Sequence, residues 1–443
     1  MVVRLFQLTE KHTSLRIEAV AGLTTFLTMA YIIFVNPLIL SSATGMDKEA
    51  LIAVTCIVTA LATIMTGILA NAPIAMAPGM GLNAFFAYLV ASEKMGWQTA
   101  LGVVFLSGLL FLALTVLGLR KRMVQAIPPS LISAIAVGIG LFITFIGLVK
   151  LGVVVGDPHT LVTAGPITAT VLIGLFGLLV MVFFEMRRIS GGLVVGILAA
   201  TALAVFFDDK TVLPQQFISV NLNIKAIAFK LDILGALKWS FFGTIFTLTF
   251  MDMFDSVGTL VACCQQAKMM DGQGRIRGLD RLMGIDAVAT VFGALLGTST
   301  TTAYVESAAG IEQGGRSGLT SIVTGGLFLL ALLFVPIVEI VPAYATAPAL
   351  IMVGLFMMKE VKRIDFTNLE EAFPAFIIMI MIALSYSIST GLAFGFISFS
   401  LIKVVSGKAK DIKPAMAVIV IFSLLFLTLD QFGSLITYLR QLF

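Results

Sequence analysis

Hydrophobic runs separated by short polar segments follow one another along almost the whole 443-residue chain. A run of about 20 apolar residues is what an α-helix needs to cross the hydrocarbon core of a bilayer. The pattern predicts fourteen membrane segments: 16–40, 49–71, 79–91, 97–119, 128–150, 166–184, 190–207, 238–264, 282–297, 303–312, 317–338, 342–358, 372–388 and 390–406. The segments 79–91 and 303–312 are too short to cross as plain helices, and a further apolar run lies at 414–438.

The composition agrees with a polytopic helical membrane protein. Hydrophobic residues make up 59% of the chain, charged residues 12%, and the mean hydropathy is +1.07, far above soluble domains. Lysine and arginine are spread over connecting segments, which argues against a nucleic-acid-binding face. The three cysteines have no zinc-ligand or disulfide spacing. We expect neither a metal nor a cofactor.

The basic residues also predict an orientation. With a cytoplasmic N-terminus, 20 lysines and arginines fall in segments on the inner side and 7 in segments on the outer side. Cytoplasmic loops carry such an excess of positive charge. We therefore expect an integral protein of the bacterial inner (plasma) membrane with its N-terminus in the cytoplasm.

The two halves of the chain resemble each other at three places. "ISGGLVVGIL" at 189–198 matches "ISTGLAFGFI" at 388–397, and two segments run from Pro128 and Pro342 to the letters G-L-F. "TFLTM" at 25–29 matches "TFMDM" at 249–253. Because a unit of seven spans is odd-numbered, the second copy must enter the membrane from the opposite side. The fold class predicted is therefore all-α, with fourteen spans in a 7+7 inverted repeat, an arrangement typical of secondary transporters.

The third and tenth spans are predicted to be broken into a short strand and a half-helix. Residues 71–89 contain "APGMGLN", in which proline and glycine stop a continuous helix, and residues 297–315 contain a run of threonines that favours a strand. Irregular backbone at membrane depth is tolerated only inside protein or beside a cavity. An offset of 224 residues makes the two segments equivalent, so the half-helices should direct their N-termini at a shared cavity.

The candidate binding residues lie on these segments and on the first and eighth spans. At offset 224, Asn83 aligns with Ser307, and Thr28 aligns with Asp252. Carboxylates at membrane depth usually mark a substrate or proton path. Simpler readings are an aspartate that snorkels, a carboxylate or amide that only stabilises a helix end, and a threonine bonded to its own helix. The candidate site comprises Thr28, Asn83, Asp252, Asp255, Glu306 and Ser307.

The chemistry of these residues points to a ligand with ring N–H groups. Carboxylates and an amide offer fixed hydrogen-bond acceptors and repel simple anions, which argues against a sulfate or bicarbonate carrier. Desolvation disfavours the charged form of a carboxylate, so an acid that exchanges its proton as the ligand binds could couple transport to protons. We expect Glu306 and Asp255 to serve this coupling.

Four ordered motifs carry a resemblance to a known family: "TTFLTMAYI", "APGMGLNAFF", "FMDMFDSVGTL" and "TSTTTAYVESAAGI". With them the chain, over about residues 4–406, resembles the AzgA-like branch of the nucleobase transporter superfamily, permeases for adenine, guanine and hypoxanthine. The resemblance implies proton symport, elevator-type alternating access and a homodimer formed through gate domains. It assigns substrate binding to Asp252, Glu306 and Asn83, with Asp255 as a second functional aspartate.

The resemblance also implies a division into domains. The core domain covers residues 1–126 and 237–338, the gate domain covers 127–210 and 339–410, and an extra apolar helix lies in 411–443. A carrier of xanthine, urate or uracil on the same fold is the main alternative. An intramembrane aspartyl protease would need aspartates on two facing helices, and a channel would not explain symmetric broken helices, so we do not expect an enzyme.

Overall fold

Helices dominate the computed structural model, which describes residues 6–92, 95–118, 128–208, 211, 217–218, 223–238, 241–269, 276, 278–385, 388–414, 416–417, 419–421, 423–424 and 427. The first half contains α1 (Leu15–Met29), α2 (Ile32–Thr44), α3 (Lys48–Ala70), β1 (Met76–Pro78), α4 (Met80–Ser92), α5 (Trp97–Val116), α6 (Pro129–Leu151), β2 (Val154–Asp157), β3 (Leu161–Ala164), α7 (Ala169–Met186) and α8 (Gly192–Phe207). The second half contains α9 (Ile233–Ala236), α10 (Phe242–Gln266), α11 (Leu279–Leu296), β4 (Thr301–Ala303), α12 (Ser307–Glu312), α13 (Gly318–Ala331), α14 (Val335–Glu339), α15 (Ala343–Met358), α16 (Leu369–Leu384) and α17 (Ile388–Val405).

Long apolar helices account for most of the predicted spans. Within the described part of the chain, seven helical segments are long and apolar enough to cross a membrane by length and composition. Four shorter apolar helices lie at Met80–Ala91, Gly192–Phe207, Phe242–Met253 and Thr390–Val405. The prediction of a polytopic all-helical protein is confirmed. The predicted C-terminal helix in 411–443 lies largely outside the described residues.

The boundaries differ from the prediction at two places that matter for the site. The span predicted as one helix over 16–40 is divided, because α1 ends at Met29 and α2 begins at Ile32. Around this point Ile33 N bonds to Ala30 O and Phe34 N to Tyr31 O, so the chain winds more tightly than an α-helix. The half-helix of the second broken segment is predicted to start near Tyr304, but it begins at Ser307, since residues 301–303 belong to β4.

The two broken segments meet in an antiparallel strand pair. β1 pairs with β4 in the register Met76 with Ala303, Ala77 with Thr302 and Pro78 with Thr301. At one end Gly79 N donates to Thr300 O, and at the other Tyr304 N donates to Ala75 O, both at 3.0 Å. This pairing satisfies backbone groups that lipid could not satisfy. The prediction of a short strand followed by a half-helix in each repeat is confirmed.

A second contact between matched positions lies where α6 crosses α15. Gly140 and Gly354 are the glycines of the two G-L-F motifs. A Cβ on Gly140 would stand 2.9 Å from Gly354 O, and one on Gly354 would stand 2.5 Å from Gly140 O. Only glycine lets the two backbones approach this closely. The equivalent residues of the two repeats therefore face each other, as an inverted repeat requires.

Helices from both halves pack in two sets. In one, α1 packs against α12 and α13, α3 against α11 and α13, and α5 against α11. In the other, α6 packs against α15 and α16, α7 against α8 and α15, and α16 against α17. Each set thus combines corresponding helices of the two repeats.

Candidate functional site

The polar face of α10 packs against β4 and α11. Asp252 Oδ2 accepts a hydrogen bond of 3.0 Å from Thr290 Oγ1, and Thr290 Oγ1 also lies 2.9 Å from Thr301 O. One turn later, Ser256 Oγ lies 2.8 Å from Thr302 Oγ1. Asp252 is only 1% exposed. Its carboxylate is therefore held in a fixed place beside the strand pair.

Asn83 and Ser307 each reach from one repeat into the other. Asn83 Oδ1 accepts a hydrogen bond from Ser299 Oγ, and Ser307 Oγ accepts one of 3.0 Å from Ala75 N. The two donors, Ala75 and Ser299, are 224 positions apart, and so are the two acceptors, Asn83 and Ser307. The two bonds therefore join equivalent positions of the two repeats. Asn83 Nδ2 is buried and has no hydrogen-bond partner among the described residues. A buried donor of this kind is uncommon and is available to a ligand or a water molecule.

Glu306 stands at the N-cap position of α12. Its Oε1 accepts a hydrogen bond of 2.7 Å from the phenol of Tyr31, which lies between α1 and α2. Thr28 Oγ1 lies 3.4 Å from Glu306 O, but it lies closer to Thr25 O, at 2.9 Å, and to Thr24 O, at 3.1 Å. Thr28 therefore bonds chiefly to its own helix in this structure.

Asp252 and Asp255 have different surroundings although they lie on one turn of α10. Asp255 is near enough to Glu306 for the two negative charges to repel each other, and both side chains are partly exposed. Asp252 is instead bonded to Thr290. The structure thus pairs Asp255 with Glu306 and places Asp252 beside the strands.

Several polar residues at the site were missed by the sequence analysis. Tyr31 contacts Glu306 across 275 positions, and Thr290 contacts Asp252 across 38. The phenol of Tyr304 donates to Pro78 O at 2.6 Å and so joins the two broken segments. No spacing rule connects such distant residues. Tyr31 and Tyr304 lie within the quoted motifs, which is a signal for them, whereas Thr290 lies outside every motif.

The far end of α12 is held by residues outside the candidate site. Arg316 Nη1 donates to Ile311 O at 2.6 Å and to Gly315 O at 2.8 Å. The buried carboxylate of Glu18, on α1, accepts from Arg316 N at 3.0 Å and from Thr320 Oγ1 at 2.5 Å. The Glu18 carboxylate also accepts a hydrogen bond from Thr320 N in the first turn of α13, and this contact caps the N-terminus of that helix. These contacts fix the helix that carries Glu306.

Solved structures share this arrangement of paired half-helices inside an inverted repeat. The transmembrane domain of the cyanobacterial bicarbonate transporter BicA aligns with a TM-score of 0.65 and 16% identity, over 84% of this chain and 96% of that one. SLC26A9 aligns with a TM-score of 0.63 and 12% identity, over 88% of this chain and 65% of that one. At such low identity the likeness shows the fold alone.

Sequence comparisons give the family. Residues 16–394 match the model of the xanthine/uracil permeases, described as "Permease family". Adenine permease AdeP of Escherichia coli is 40% identical, over 96% of this chain and 95% of the relative. Guanine/hypoxanthine permease PbuG of Bacillus subtilis is 43% identical, over 96% of this chain and 99% of the relative. Putative permease MJ0326 of Methanocaldococcus jannaschii is 44% identical, over 97% of this chain and 99% of the relative. The chain belongs to the xanthine/uracil permease family and is an integral membrane nucleobase permease rather than an enzyme.

Proposed function

We propose that the protein imports purine nucleobases (adenine, guanine and hypoxanthine) by proton symport. The observation that carries this proposal is the near-full-length identity to relatives named adenine permease and guanine/hypoxanthine permease, 40% and 43%. The four motifs that carry the resemblance hold Thr28, Asn83, Asp252, Asp255, Glu306 and Ser307, the residues we assign to the site.

The arrangement of donors and acceptors suits a purine. The Asp252 carboxylate can accept a hydrogen bond from a ring N–H group, and the unpaired Asn83 Nδ2 can donate to a ring nitrogen or a carbonyl. Buried polar groups discriminate strongly, since a ligand that leaves them unpaired binds poorly. The fixed negative charge of a carboxylate disfavours an anion such as bicarbonate, although the fold is shared with a bicarbonate transporter.

Proton coupling is assigned to Glu306 and Asp255. Their mutual repulsion is relieved when one of them carries a proton. A proton that enters with the nucleobase neutralises one of the two carboxylates while the ligand is bound, and this removes the repulsion between them. Its release on the cytoplasmic side restores the repulsion and favours return of the empty carrier.

Transport itself is assigned to a movement between two domains. The core domain, 1–126 and 237–338, contains the strand pair and the half-helices, and the gate domain, 127–210 and 339–410, contains the crossing of α6 and α15. The two sets of packed helices support this division. In the proposed elevator motion the core carries the site across the inner membrane, while gate domains join two copies. The N-terminus is assigned to the cytoplasm.

A competition experiment in proteoliposomes tests the substrate. An inward proton gradient drives the uptake of labelled adenine. Each unlabelled competitor is added in about tenfold excess over the labelled adenine. The competitors are adenine, guanine, hypoxanthine, xanthine, urate and uracil. We expect the first three to reduce uptake by about tenfold, as a shared site requires. A protonophore should abolish accumulation. The alternative is a carrier of xanthine, urate or uracil, since the family model is named for xanthine and uracil. In that case xanthine, urate or uracil should reduce the uptake of labelled adenine more strongly than guanine and hypoxanthine do.

A further inference from the structure

The break between α1 and α2 brings a buried phenol onto a carboxylate of the site. Tyr31 is 1% exposed, and its hydroxyl lies 2.7 Å from Glu306 Oε1. A phenol is the donor in this contact and the ionised carboxylate is the acceptor. A hydrogen bond to an ionised group is among the stronger bonds in a protein. Tyr31 therefore acts on the charged form of Glu306.

We propose that Tyr31 is a positioning residue for Glu306, holding its carboxylate at the start of α12 and setting the pH at which the carrier takes up its proton. This inference rests on the proposed proton symport. It adds a group from the first span to a coupling site that the sequence placed on the eighth and tenth spans.

The other groups around Glu306 do not offer the same contact. Asp255 and Cys263, both on α10, are near enough to Glu306 to feel its charge, but neither donates a hydrogen bond to it in the described part of the chain. Tyr304 is also near both carboxylates, but its hydroxyl donates to Pro78 O. Arg316 and Glu18 lie at the far end of α12 and bind the backbone there. In the described part of the chain, Tyr31 is the side chain that donates to the Glu306 carboxylate.

The tightened turn explains how the phenol reaches this place. Residues 30–31 keep the α-helical bonds from Ala30 N to Phe26 O and from Val35 N to Tyr31 O. Tighter bonds are added here, from Ile33 N to Ala30 O and from Phe34 N to Tyr31 O. Thr28, one turn earlier, lies near Glu306 O. The end of α1 and the start of α2 therefore flank the N-terminus of α12, and Tyr31 is directed at the side chain there.

The test is the pH profile of adenine uptake by Tyr31→Phe, which keeps the ring and removes the hydroxyl. Without the donor the ionised carboxylate is less stable, so its protonated form persists to higher pH. We expect the pH of half-maximal uptake to rise by about one unit. Tyr344→Phe is the matched control, because it removes a phenol that donates to a carboxylate outside the site, Asp208 Oδ2 at 2.6 Å, and its midpoint should stay unchanged. A purely structural defect would lower uptake by the same factor at every pH.

A second variant covers the case in which Tyr31→Phe does not fold. Incorporation of 3-fluorotyrosine at position 31 keeps the shape and makes the hydroxyl a stronger donor, so the midpoint should move down. A wild-type profile in both variants overturns the role of Tyr31 while leaving symport intact. If the wild-type protein itself shows pH-independent uptake, proton symport is wrong and this inference is wrong with it.

Discussion

Asp252 is a buried side chain whose carboxylate is held in place by its neighbours. The carboxylate is placed on α10 and receives a hydrogen bond from Thr290 on α11, which also contacts the backbone of β4. A side chain held by its neighbours loses little freedom when a ligand binds. Asp255, three residues later, lacks this arrangement and lies near Glu306 instead. These different surroundings are the reason why we propose separate tasks for the two aspartates, binding for Asp252 and coupling for Asp255.

Replacing Asp252 by Asn tests the binding task. The amide has the same shape and can still accept from Thr290, but it loses the charge that strengthens the bond to a ring N–H group. We expect the apparent affinity for adenine, measured by uptake, to fall by about 10- to 100-fold. The control is Asp365→Asn, in an exposed position between α15 and α16, with wild-type uptake expected. Unchanged affinity in Asp252→Asn would remove Asp252 from the site.

At the scale of elements, the broken spans were predictable and the divided first span was not. Proline, glycine and a threonine run interrupt the apolar pattern at 71–89 and 297–315, so their sequence shows where a helix cannot continue. Residues 30–31 are Ala and Tyr in an apolar stretch, and neither disfavours a helix strongly. Thr28 and Tyr31, beside this turn, contact Glu306 at the start of α12, hundreds of positions away, and no local pattern shows such contacts. The same reason explains why Tyr31, Thr290 and Glu18 could not be assigned from spacing.

The half-helix α12 also depends on a close approach to α1. A Cβ on Gly310 would stand 2.5 Å from Ala21 O and closer still to Thr25 Oγ1. Gly310→Ala must therefore move α12, and with it Glu306. We expect a loss of stability of about 1–3 kcal/mol, as for other overpacked sites, seen as a lower melting temperature in detergent, together with weaker uptake.

Gly326→Ala is the matched control for that substitution. Gly326 lies in α13, and a Cβ there would meet no atom within 4 Å. Alanine favours a helix over glycine, so this variant should melt at the wild-type temperature or slightly above it. Normal uptake and melting in Gly310→Ala would show that α12 tolerates a larger separation from α1.

At the scale of the molecule, the proposed motion can be tested at the contact between α4 and α6. A Cβ on Gly81 would lie 3.9 Å from Ile139 Cβ, close to the mean separation in disulfides. Gly81 belongs to the proposed core domain and Ile139 to the gate. In the double variant Gly81→Cys/Ile139→Cys, oxidation should therefore stop uptake if the domains slide past each other, and a reductant should restore it. The three native cysteines are free and buried.

A cross-link inside the gate domain separates blocked motion from oxidative damage. A Cβ on Gly395, in α17, would lie 3.4 Å from Ile378 Cβ, in α16. Both helices belong to the proposed gate domain, so a disulfide between Gly395→Cys and Ile378→Cys should leave uptake intact under the same oxidant. Because the same chemistry is applied to both pairs, a difference between them isolates relative movement of α4 and α6. Full uptake by the oxidised Gly81→Cys/Ile139→Cys protein, with the disulfide confirmed by mass spectrometry, would contradict an elevator motion and favour a carrier whose half-helices stay fixed against α6.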